Sequence, residues 1–193
     1  MSSPAQETPR RLISGRNADT TARLLDAAVE QVASSGYDGL TVRNVARAAG
    51  VSPATAYTYF GSKEHLLAAV FWARVSALPA LEVAATADVG TRVEAALGPV
   101  AMLVADEPEL AAGITTALLA HDPDVRQLRD QLGARFAERI AVAIEDRVPA
   151  ESQLGLTMAF TGGLLSAGMG ILDYRAVAPM VADLATRVAG RKR

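Results

Sequence analysis

The chain has 193 residues, half of them apolar and 21% charged, with a net charge of −2; this is the composition of a globular protein with a sizeable core, not of a disordered chain. It contains no cysteine, which excludes disulfide staples, thiolate metal sites and cysteine nucleophiles. The slightly acidic balance argues against a nucleic-acid binder, but residues 1–70 hold seven Lys/Arg against six Asp/Glu and residues 71–193 twelve against fifteen, so any basic face belongs to the front of the chain.

Residues 1–17 are rich in Ser, Pro and Arg without periodicity and read as a flexible arm, whose Arg10, Arg11 and Arg16 suit DNA phosphate or minor groove. The first thirty residues have no apolar run, so no secretory leader is expected. From Ala18 onward Leu24, Leu25, Ala28, Val29 and Val32 recur at helical spacing, and Ser34-Ser35-Gly36 predicts the stop of that helix. Thr41 is a natural N-cap for a second helix to Ala49, broken by Gly50. Ser52 caps a third, with Pro53 in the first helical position, where a missing N–H costs nothing. Ser62 caps a fourth, Lys63 to about Leu78.

The rest also reads as helices: 89–104 with a kink or break at Gly98-Pro99, 108–120, 123–146 after Asp122-Pro123, 152–172 and 175–189. No alternating apolar run or hairpin signal appears, so the fold is expected to be all-α, with about nine helices. Leu154 to Leu172 is nineteen residues without a charge, near the length of a membrane span. No aromatic belt or positive flank frames it, and a buried interface helix is the preferred reading.

Function concentrates in the second and third helices. A turn as short as Ala49-Gly50-Val51 makes two helices cross steeply. Their close approach needs a small residue, Ala46, and a glycine free to take positive φ, Gly50. That is the specification of a helix-turn-helix. Three aromatics follow within four positions, Tyr57, Tyr59 and Phe60. Phe60 suits the core, while the tyrosines offer phenols to phosphate oxygens. Lys63 opposes the dipole of the helix it begins, yet beside a phosphate the same placement is favourable.

Arg23 to Ala28, Gly36-Tyr37, Leu40 to Ala46, Ala49 to Ser52, Thr55 to Phe60 and Ser62 to Leu67, in this order and spacing, closely resemble the DNA-binding domain of TetR-family transcriptional regulators. The resemblance covers about residues 18–70. It implies a homodimer on a near-palindromic double-stranded DNA operator, with a C-terminal helical domain that holds an effector and dimerises through its last two long helices. The domains expected are an arm over 1–17, a helix-turn-helix domain over 18–66 and an effector and dimerisation domain over 67–193. Thr41 is implied to touch phosphate and Arg43 to reach into the major groove, where bidentate bonding to guanine suits it. Ser52, Pro53, Ala54 and Thr55 would open the recognition helix toward the bases. Tyr57, Tyr59 and Lys63 would hold the backbone. Ala56 stands where the family usually has a larger aliphatic residue, and Thr58 where it often has histidine or an aromatic. His65 reads as a surface residue.

Farther back, Gly155, Ala159, Gly163 and Ala167 recur every fourth residue, as do Gly162, Ser166 and Gly170 on a neighbouring face. Five glycines in one helix call for a packing reason. A dimer interface of Gly155, Ala159, Gly163 and Ala167 joined by Met180 and Leu184 supplies one, as a four-helix bundle between subunits. Trp72, Met102, Thr115, Thr116, Leu119, Phe136 and Phe160 are the candidate walls of an effector pocket. With few polar groups among them, a small apolar effector is expected: a lipid, steroid or aromatic compound. No catalytic set, metal spacing or phosphate loop favours an enzyme or a cofactor. The competing reading is an all-α interaction module without DNA binding. The resemblance places the protein in the cytoplasm, on DNA and not in a membrane.

Overall fold

The computed structural model describes residues 15–190 except residue 85; the expected arm therefore lies outside the described residues up to residue 14. Among the described residues there are nine helices and no strand. They are α1 (Gly15–Gly39), α2 (Val42–Ala48), α3 (Pro53–Tyr59), α4 (Lys63–Ser76), α5 (Val89–Met102), α6 (Pro108–Leu118), α7 (Pro123–Ile144), α8 (Ser152–Gly168) and α9 (Tyr174–Ala189).

The caps read from sequence are the caps that form. Thr41 accepts from Asn44 N, Ser52 from Thr55 N, Ser62 from His65 N, and Asp122 from both Asp124 N and Val125 N. Each satisfies one or two of the N–H groups a helix start leaves open, which is worth about 1 kcal/mol apiece. The first helix is interrupted at Gly36 as expected, at φ +67°, and a short helical stretch to Gly39 follows. The break expected at Gly98-Pro99 is absent, because Pro99 is exposed and sits in the last turn of α5, where few ladder bonds remain to lose.

The α4 helix holds the molecule together. It packs against α1, α6 and α7 and buries Leu66, Leu67, Val70 and Phe71. The domain boundary expected between residues 66 and 67 thus falls inside one helix. Behind it, α5 lies against α7 and α9. Two buried arginines staple that layer. Arg92 donates Nε to Ala143 O (2.8 Å) and Nη2 to Val142 O (3.1 Å), and pairs with Glu145. It thereby caps the end of α7, whose next residue, Glu145, has a positive φ of 44°. Arg139 donates to Ala96 O and Pro79 O, and burial holds its pKa below the usual arginine value.

Two of the four glycines of α8 are needed within this chain, while Gly155 and Gly162 face open space. A Cβ on Gly168 would lie 1.9 Å from Thr115 Oγ1 of α6, and one on Gly163 2.7 Å from Val177 Cγ1 of α9. Gly170, at φ +74°, ends α8: Gly170 N bonds to Ala167 O and Ile171 N to Ser166 O, the double bond of a Schellman motif. The helix therefore stops at Gly168, short of the expected Leu172. Among the described residues no helix is long and apolar enough to cross a membrane.

Candidate nucleic-acid interface and internal cavity

The α2–α3 pair has the geometry its turn dictates. Gly50 takes φ +64°, Val51 N reaches back to Ala46 O at 2.8 Å, and Ala46 and Ala56 are fully buried at the crossing. Arg23 pins α1 to the same turn by donating to Ala49 O. What faces outward is one continuous surface: Thr41, Arg43 and Arg47 from α2, then Ser52, Pro53, Ala54, Thr55, Tyr57 and Thr58 from α3, all exposed. The Tyr57 ring is 49% exposed with no packing role that would account for it, whereas Tyr59 is half-buried against the core. Thr55 is pre-set, its Oγ1 bonded to Ser52 Oγ at 2.8 Å. Of the side chains expected at the DNA face, Thr41, Arg43, Ser52, Pro53, Ala54, Thr55 and Tyr57 are exposed and Tyr59 is half-buried.

Lys63 has a structural role that sequence reasoning missed. Its Nζ donates to Tyr37 O at 3.0 Å and lies 3.9 Å from the centroid of the Tyr37 ring. The ammonium that opposes the dipole of α4 thus caps the C-terminal turn of α1. The Tyr37 hydroxyl donates to Glu64, and burial first, then Glu64, pushes that phenol above its ordinary pKa.

His65 is not a surface residue. Its Nδ1 is 3.4 Å from Asp124 Oδ2, and its ring meets Phe60 edge-on at 5.4 Å. Beside it the Ser62 hydroxyl donates to Asp122 Oδ2 at 2.6 Å. The N-caps of α4 and α7 are therefore hydrogen-bonded to each other, latching the helix-turn-helix unit onto the core. His121, next to Asp122, is exposed. Burial raises the Asp122 pKa, but bonds from Ser62, Val125 N and Asp124 N, with His65 nearby, outweigh it and hold the carboxyl below the usual range. A depressed carboxylate stabilises fully above the unfolded pKa, about 4, and loses that contribution as pH falls through its lower folded value. Asp122→Ala is expected to lower stability by about 1–2 kcal/mol at neutral pH. Urea denaturation should show the gap to wild type closing below about pH 4.

An apolar cavity of about 200 Å³ opens between α4, α6, α7 and α8. Thr115, Leu119 and Phe136 line it as expected. Four other expected wall residues do not. Trp72 lies in a separate shallow groove with Gln131 and Arg135. Met102, the last residue of α5, is exposed. Thr116 points to solvent, its hydroxyl donated to Ala112 O. Phe160 is wholly buried behind Phe136, edge-to-face at 5.2 Å. The walls that reasoning missed are chiefly Ile114, Leu132 and Leu164, together with Arg129 and Tyr174. The i, i+3 and i+4 spacing of Arg129, Leu132, Gly133 and Phe136 on α7 was the available signal.

The expected dimer face needs correcting in part. Gly163 and Ala167 are occupied within the chain, the first by Val177 and the second by burial. Gly155, Met180 and Leu184 are exposed and Ala159 half-buried. The open apolar surface of α8 and α9 is carried instead by Leu154, Met158 and Met180, each more than half exposed.

Residues 24–70 match the family model of bacterial regulatory proteins, tetR family. An uncharacterized HTH-type transcriptional regulator of Mycobacterium tuberculosis is 41% identical over 165 residues, 84% of this chain and 77% of that one. The HTH-type transcriptional repressor KstR of Mycolicibacterium smegmatis is 29% identical over 172 residues, 86% of this chain and 84% of that one. Among solved structures, a TetR transcriptional regulator from Rhodococcus sp. RHA1 superimposes with a TM-score of 0.69 at 19% identity, covering 88% and 97% of the two chains.

Proposed function

This chain belongs to the TetR family of bacterial regulatory proteins, and we propose that it is a homodimeric repressor released from a near-palindromic operator by a small, largely apolar effector. The observation that carries the reading is the outward face of α2 and α3, polar and aromatic, set on a crossing whose alanines are fully buried. Such a surface has no packing use within the chain. It has the small residues, hydroxyls and guanidinium that enter a groove and grip its backbone.

Each subunit brings one head. Two heads joined through the apolar faces of α8 and α9 address successive major grooves, about 34–36 Å apart. Thr41, Tyr57 and Tyr59 hold phosphates, with Lys63 added if it leaves Tyr37. Arg43 and Thr55 read base edges. The cavity touches α4, α6 and α7 together, and α6 and α7 are the helices against which α4 is held. A ligand that fits the cavity better in one arrangement of these helices shifts the population toward it, and the spacing of the heads with it. The protein works where its DNA is, in the cytoplasm.

Selection from a pool of random duplexes at fixed salt tests this. Wild type should enrich a two-fold-symmetric motif. On that motif Arg43→Ala should bind about 10–100-fold more weakly while melting at the same temperature. An unenriched pool, or unchanged affinity of the variant, would favour the interaction-module reading instead.

A further inference from the structure

The cavity has a single charge on a largely apolar wall, to which Thr115, Thr161 and Tyr174 add the other polar groups. Among the described residues that line it, Arg129 is the one charged side chain. Its Nη1 donates to the O of Leu118, the last residue of α6, at 2.7 Å and to Ala120 O, just beyond that helix, at 3.1 Å. Arg74, Arg92, Arg135 and Arg147 each pair with a glutamate; among the described residues Arg129 has no such pair. A guanidinium carries five N–H groups, so Nε and Nη2 keep donors for a further partner. Arg139 also lacks a carboxylate, but it is buried away from the cavity against Ala96 O and Pro79 O.

We propose that the effector is an amphiphile with an anionic oxygen head, carboxylate or phosphate, seated on Arg129. Its apolar body lies against Ile114, Leu132, Phe136 and Leu164. This rests on the ligand-release reading above and names the ligand class that reading left open. A fork of donors beside apolar walls favours an anion over a neutral head, because charge-assisted bonds are about twice as strong as neutral ones and a half-buried cation left unpaired is penalised. The enclosed volume, about 200 Å³, equals about seven waters at liquid density. It takes a short apolar body; Leu119 and Thr161 are the exposed residues of the lining. The anion and the carbonyls of Leu118 and Ala120 share one guanidinium. The head group therefore acts directly on α6, which packs on α1 and α4.

Calorimetric titration of the full chain with decanoate, decyl phosphate and decanol tests the assignment. The anions should bind about tenfold or more tightly than decanol, and the ratio between them identifies the head. Arg129→Gln should bring the anions down to decanol and leave decanol unchanged. Equal binding of all three to wild type overturns the anionic head and leaves an apolar effector site standing. Binding of none overturns the cavity as the effector site altogether, while the DNA reading stands or falls separately on the duplex selection. The comparison within wild type decides the matter even where Arg129→Gln fails to fold.

Discussion

Gly168→Val is expected to lower stability by about 3 kcal/mol and the melting temperature by roughly 6–12 °C. The Cβ would lie 1.9 Å from Thr115 Oγ1, 2.9 Å from its Cβ and 3.0 Å from its Cγ2. Thr115 cannot step aside easily. It is stiff at χ1, and its hydroxyl donates to Ala111 O within α6. The helix-propensity gain on leaving glycine, about 1 kcal/mol at most, is too small to offset the overlap. Gly133→Ala is the matched control. Nothing lies within 4 Å of its added methyl, so there propensity should win and the melting temperature rise. A Gly168→Val protein that melts with wild type would mean that α6 and α8 are farther apart than described.

Met158→Arg should convert the dimer to a monomer and reduce operator binding on the order of 10³-fold, to the non-specific level. Met158 is 65% exposed, so the change disturbs little within the chain. In the dimer proposed above, joined through the apolar faces of α8 and α9, a guanidinium at this position is buried among apolar side chains without a partner, which is strongly disfavoured. Sedimentation at micromolar concentration and duplex binding should change together. A variant that stays dimeric would move the interface off this face of α8.

What sequence made legible was whatever depends on near neighbours. Thr41, Ser52, Ser62 and Asp122 cap the helices they precede, because a cap is a bond to an N–H two or three residues away. The α2–α3 turn followed from Ala46 and Gly50 for the same reason. The small residues of α8 were visible, but what they approach was not. Spacing says that a neighbour comes close, not whether it is Thr115 of the same chain or a second subunit. The cavity failed in a similar way. Trp72 and Phe160 are large and apolar enough to line it, yet the side of a helix that meets a void is fixed by the other helices around it. Arg129 was not among the expected walls, which are all apolar residues or threonines. The partners of Lys63 and His65, Tyr37 and Asp124, lie 26 and 59 positions away, out of reach of local pattern.

The hydrogen bond between the Ser62 and Asp122 caps limits how interchangeable the heads of such regulators are. A chimera cut at residue 66 would divide α4 and bring in a foreign cap facing a native one. A grafted head would keep its own reading surface and yet lose its mechanical connection to the body. Exchange of specificity then works best when the junction carries a matched pair, a hydroxyl before α4 and a carboxylate before α7, so that the two positions travel together.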